Sequence, residues 1–165
     1  MTEPYRDRPE MPSGYGVDQA DSFVPWEVVE GRLRESLSYW IATTRADGRP
    51  HVVPRWGVWV DGAFWYDGSP ETVHVRNLEE NTNAVLHLES GNEVTIVEGE
   101  SIRPDPIIGE VGERLAAEYA RKYAPQYTPS PDAWSDEIAG GMRRIEPVKV
   151  ITWSEFPKDV TRFTF

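Results

Sequence analysis

Residues 40–100 constrain the fold more than any other part of the chain. Two apolar runs flank Asp61-Gly62, a polar helix candidate follows, and two more apolar runs are joined through Ser90-Gly91-Asn92. Asp-Gly between strand-forming residues is a strong hairpin signal, because the tightest hairpin turns need positive φ at their central positions. Residues 39–45 read as a strand closed by Ala46-Asp47-Gly48. Residues 50–60, rich in Val and Trp, read as the next strand, and 63–66 as its return. Pro54 has no N–H to give a ladder, so it marks an edge or a bulge. Gly68-Ser69-Pro70 interrupts the chain before a short helix over 71–80. Residues 84–88 and 94–100 form a second hairpin, and 142–153 a last strand. Six strands at this spacing imply a mainly β, α+β fold with a closed or sandwiched antiparallel sheet.

The flanks are simpler. Residues 1–20 are rich in Pro, Gly and charge without periodicity and read as a flexible arm, leaving 21–165 as one domain. Ser22 or Asp21 is placed to cap a helix starting near Pro25, with Val28, Val29, Leu33 and Leu37 as its apolar stripe. Residues 107–123 read as a second helix with Ile108, Val111, Leu115 and Tyr119 on one face. A Pro-rich loop follows it, and residues 156–165 form a tail.

Composition excludes several classes. No cysteine is present, which removes disulfides and thiolate metal sites. No apolar run approaches the ~20 residues of a membrane span. The polar N-terminus lacks the apolar core of a signal peptide, so a cytoplasmic location is expected. A net charge of -11 opposes non-specific nucleic-acid binding, which rests on cationic neutralisation of phosphates. An anionic ligand would need a local basic pocket, so individual arginines matter.

Two segments carry possible chemistry. In Gly68-Ser69-Pro70-Glu71-Thr72-Val73-His74-Val75-Arg76-Asn77-Leu78 a turn of small residues leads into a helix N-terminus. Free N–H groups and the helix dipole there suit a phosphate. Ser69 and Thr72 add hydroxyls, and Arg76 adds charge. The same residues also make an ordinary capped surface helix. In His51-Val52-Val53-Pro54-Arg55-Trp56-Gly57-Val58-Trp59, alternation puts Val53, Arg55 and Gly57 on one face and Pro54, Trp56 and Val58 on the other. Arg55 is placed to reach an anion, while His51 reads as structural or exposed. His87 has no spaced His or Cys partner for a metal.

The order of these segments resembles the flavin-binding split barrel of the pyridoxamine 5'-phosphate oxidase-like family, over roughly residues 25–165. The resemblance implies a six-stranded antiparallel split β-barrel of the FMN-binding type, a homodimer, and a cofactor at the subunit interface. It implies that the turn-helix holds the flavin phosphate, usually through Ser-Arg-Lys. This chain has Thr72-Val73-His74 there. The hydroxyl survives, but two cations become a neutral residue and a titratable imidazole, leaving Arg55 and Arg76 to compensate. The strand with Pro54, Arg55, Trp56 and Gly57 would run along the flavin ring, its backbone approaching closely at Pro54 and Gly57. Asn77 and Leu78 continue the family's helix pattern. Glu93 stands where the family often has a flavin-bonding Gln. Trp153 and Arg162 match the Trp and Arg that close over the flavin.

The activity so implied is a flavin-dependent oxidoreductase acting on a small-molecule substrate, with FMN as the cofactor. A deazaflavin coenzyme of the F-420 type is the alternative, since the ADGRPHVVP segment resembles proteins that use one. The oxidases' Arg-x-His signature near the C-terminus is replaced by Lys158-Asp159-Val160-Thr161, so oxidation of pyridoxamine phosphate itself is not expected. The opposing class is a non-enzymatic flavin or haem carrier with a degenerate phosphate site.

Overall fold

The computed structural model describes residues 3–15 and 22–165. The elements run β1 (Tyr5–Asp7), α1 (Trp26–Glu35), β2 (Tyr39–Thr44), β3 (Pro50–Arg55), β4 (Val58–Val60), β5 (Ala63–Tyr66), α2 (Val73–Glu80), β6 (Asn83–His87), β7 (Val94–Ile102), α3 (Glu110–Tyr123), β8 (Arg143–Trp153) and β9 (Thr161–Thr164). All the strand pairs are antiparallel, in the order β1-β9-β8-β7-β6-β2-β3, with β5 on β8 and β4 on β5. The fold is the α+β, split-barrel type that the sequence implies, with nine strands among the described residues where six were expected. The extra three arise in known places. Residues 50–60 break at Trp56-Gly57 into β3 and β4, the tail contributes β9, and Tyr5–Asp7 within the expected arm pairs with β9. Residues 16–20 of that arm lie outside the described residues.

The split lies in β8. One edge pairs with β7 along its length. The other edge pairs with β5 at Arg143–Ile145 and with β9 at Lys149–Thr152. Pro147 sits between the two partners and has no N–H to donate. The β4–β5 hairpin turns at Asp61 (φ 53°) and Gly62 (φ 73°), the doubly positive geometry that Asp-Gly favours. β3 pairs only with β2, an edge position that accommodates Pro54.

Two cores lie on opposite faces of that hairpin. Trp59, Phe64 and Tyr66 pack inward with Leu33, Tyr39, Ile41, Leu78, Leu86 and Val150. Val58, Val60, Ala63 and Trp65 pack outward under Leu115, Tyr119, Trp134 and Met142. Burial on both faces explains the nearly unbroken apolar run of β4 and β5.

Three local expectations need correction. The N-cap of α1 is Pro25, with no side-chain cap, so Ser22 does not fill that role, and Asp21 lies outside the described residues. Trp26, Val29 and Leu33 form the buried stripe of α1, whereas Val28 and Leu37 are exposed. Helix α3 starts at Glu110, after Gly109 at φ 67°, so Ile108 precedes the helix and is exposed. Among the described residues no helix is long and apolar enough to cross a membrane.

Candidate functional site

The turn-helix comes first. Helix α2 begins directly after Thr72, and the first N–H groups of a helix have no intrahelical partner. The Ser69 hydroxyl accepts from the Glu71 N–H at 3.2 Å, and the Thr72 hydroxyl donates to the Ser69 carbonyl at 3.0 Å. Arg76 is exposed and donates to the Glu71 carbonyl at 2.5 Å. The buried Asn77 amide donates to the Thr43 hydroxyl at 2.9 Å, which pins α2 to β2. His74, on the first turn, points away from solvent and is only 3% exposed.

His74 joins a polar cluster built from three strands. Alternation along β3 brings His51 and Arg55 to the same, half-buried face. β5 contributes Tyr66, and β8 contributes Arg143, which faces Tyr66 in the ladder. The Arg55 guanidinium lies 5.7 Å over the Tyr66 ring and donates to the Asp67 carbonyl. Tyr66 and His74 have ring centroids 5.7 Å apart. Arg143 is buried and paired with Glu79. A Cβ on Gly68 would stand 2.5 Å from Arg55 Nη2, so the bare turn makes room for the guanidinium. Four buried atoms of this cluster find no hydrogen-bond partner among the described residues: His51 Nδ1, Arg55 Nε, Tyr66 OH and His74 Nε2. Each such group costs about 1–3 kcal/mol when left unmade, so their convergence marks a place suited to a ligand.

Charge follows from burial. Burial, aided by the neighbouring Arg55, His51 and Arg143, pushes the His74 imidazole down to about 4. Burial pushes the Tyr66 phenol up to about 12, with Arg143 and Arg55 opposing. A histidine held at about 4 rather than 6.5 binds protons better unfolded than folded. Its stabilising effect is therefore complete above pH 6.5 and is lost as pH falls from 6.5 through 4. At about 1.4 kcal/mol per pH unit the loss reaches about 3 kcal/mol. Denaturant unfolding of wild type and His74→Gln from pH 8 to pH 4 is expected to show this loss in the wild type only.

Beside the cluster, Arg55, Pro54, Trp56, Asp67, Tyr119 and Tyr127 line a cavity of about 330 Å³. Trp56 is half exposed and stacks on Tyr123 at 4.8 Å. The backbone of Gly57 is already engaged. Its N–H donates to the Tyr123 hydroxyl at 3.0 Å, and its carbonyl accepts from Lys122 Nζ at 2.8 Å. Burial pulls the Lys122 ammonium down to about 7, with Arg121 adding to the fall and Glu118 and Glu35 opposing it.

The other sequence candidates sit elsewhere in the chain. Glu93 is exposed, 3.5 Å from Arg32. Trp153 ends β8, with its carbonyl accepting from Arg32 at 3.3 Å and its ring 5.4 Å from Phe156. An eleven-residue strand separates it from Arg143, roughly 30 Å along the chain. Arg162 pairs through two nitrogens with Asp7 of β1, at 2.8 and 2.5 Å. Of the twelve candidates, Arg55 and His74 both lie against Tyr66, with Ser69, Thr72, Arg76 and Asn77 on the turn-helix that carries His74. His51, expected to be structural or exposed, joins the cluster, as do Tyr66 and Arg143, which no sequence motif singled out. The period-two spacing of His51 with Arg55 was a usable signal. Arg143 had none, since only the β5–β8 pairing brings it to Tyr66.

A family model described as pyridoxamine 5'-phosphate oxidase matches residues 26–146. The chain belongs to this family. The match to the pyridoxamine 5'-phosphate oxidase family begins with α1, ends within β8 and includes every residue of the cluster. Solved structures share the fold. An F420 reductase superposes with TM-score 0.52 at 20% identity, over 73% of this chain and 94% of its own. A heme binding protein from Mycobacterium smegmatis gives 0.62 at 16% identity, over 86% of this chain and 59% of its own. A FAD-binding protein from Mesorhizobium loti gives 0.59 at 15% identity, over 84% and 93%. A search of the curated proteins finds no match. These structures are named for different cofactors, so the choice of cofactor rests on the site.

Proposed function

We propose that this member of the pyridoxamine 5'-phosphate oxidase family is a flavin-dependent oxidoreductase that binds FMN. The observation that carries the reading is the convergence of Arg55 and Arg143 with four unpartnered buried polar atoms beside the α2 N-terminus. In a chain of net charge -11 this is a local cationic cluster of the kind a phosphate requires. His51, Arg55, Tyr66, His74 and Arg143 would hold the phosphate end, with Ser69 and Thr72 at its rim. The flavin supplies hydride transfer, and the chain supplies binding, orientation and electrostatics. Trp56, half exposed over the adjacent cavity, offers an aromatic face to the cofactor or substrate. The active unit in this reading is a homodimer. The exposed Val52 and Val148, with a groove of about 340 Å³ lined by Ala42, Val85 and Glu98, give a sheet face suited to a second copy.

A second reading is haem binding. Its support is that the unpartnered nitrogens of His51 and His74 belong to imidazoles, the commonest haem ligand. Visible spectra after loading with FMN, a deazaflavin or haemin, followed by desalting, separate the readings. Retained flavin bands that bleach with reduced nicotinamide are the expected result. A haem band alone would move the protein to the second reading, and a colourless protein in all three cases would end both.

A further inference from the structure

We propose that the cluster binds its anion together with a proton, taken up by His74. The inference rests on the phosphate-site reading above but adds a chemistry that reading does not contain. The related oxidases are expected to meet the phosphate with a lysine, which is cationic before the ligand arrives. Here the position is an imidazole buried at 3% exposure, with its Nε2 unpartnered.

The charges around His74 decide its state. From β3 it faces Arg55 and His51, from β8 Arg143, and from β5 the Tyr66 phenol. Glu79 is committed to Arg143 and Arg103. The free site therefore holds the imidazole beside the Arg55 and Arg143 guanidiniums and away from solvent. Both factors keep it neutral, down to about 4. An anion between Arg55 and Arg143 reverses the sign of that field. It also favours a donor at Nε2, and the imidazolium supplies one together with a full positive charge. Protonation supplies a donor on both ring nitrogens and a charge-assisted bond. Binding and protonation then favour each other, and linkage makes the coupling reciprocal. Affinity rises as pH falls from the His74 pKa of the bound state toward that of the free state, by up to about tenfold per pH unit.

Histidine NMR tests this without requiring turnover. The chain has three histidines, and His74→Gln assigns the relevant resonance by its loss, with wild type carrying the measurement. Inorganic sulfate is the probe, because its charge is constant over the range used, and FMN is the second ligand. The expected result is a His74 pKa that rises by about two units on saturation with sulfate, with sulfate binding about tenfold tighter near pH 5 than near pH 7. A His74 pKa unmoved by bound sulfate would overturn the proposal, as would sulfate that fails to bind at either pH. Sulfate that shifts His74 while FMN does not bind would sustain the proton-linked anion site and end the flavin reading. His74→Lys is expected to bind sulfate with the pH dependence removed, and a dependence that persists in it would overturn the assignment to residue 74.

Discussion

Replacing Gly57 by alanine is expected to lower stability by about 3 kcal/mol, the upper part of the range for overpacking. A Cβ at this position would stand 2.5 Å from the Trp65 carbonyl and inside contact distance of the Phe64 ring. The carbonyl belongs to a paired strand, and Phe64 is fully buried in the inner core. Neither can move without disturbing the β4–β5 hairpin. The Gly57 N–H and carbonyl also anchor Tyr123 and Lys122 at the end of α3, so a shift of this backbone would loosen helix docking as well. For a domain of this size the change corresponds to a melting temperature lower by about 6–12 °C. Thermal unfolding of the Gly57→Ala variant checks it. An unchanged midpoint would mean that the junction between β3 and β4 relaxes freely.

Arg55→Ala is expected to weaken FMN binding about 100-fold, while Arg76→Ala changes it less than about threefold. Both arginines are candidates from the sequence, and their surroundings separate them. Arg55 lies against Tyr66 and the Asp67 carbonyl with a buried, unpartnered Nε. A hydrogen bond from such a group to an anion is worth about 1.5–3 kcal/mol, or roughly 10- to 150-fold in affinity. Arg76 is exposed and turns back on the Glu71 carbonyl, where solvent screens its charge. Fluorescence titration with FMN measures both. Equal losses would place the phosphate at the outer rim of α2, and no loss from Arg55→Ala would remove the cluster from the cofactor site.

Much of the fold was legible in local chemistry. Asp61-Gly62 dictated a hairpin because few other residue pairs tolerate two positive φ angles, and the structure has both. Gly68-Ser69-Pro70 ended one element and launched α2 within two residues of the expected start. Strand β6 and the beginning of β7 fell where the alternating runs put them. Less legible were elements whose existence depends on a remote partner. Residues 5–7 and 161–164 are short and polar, and they become strands by pairing with each other and with β8.

The same division runs through the site. Sequence by itself determined that a small-residue turn opens a short helix and that Arg55 lies near it in chain order, and the family resemblance added that His74 stands where a Lys is usual. Those properties are local, set by residue type and by spacing along one or two elements. Only the tertiary structure decided that His74 is buried rather than solvated, and that Arg143 arrives from β8 beside Tyr66. It also decided that Glu93, Trp153 and Arg162 stand apart from the cluster. Burial and electrostatic field are sums over neighbours from several strands, and no window along the chain contains those neighbours together.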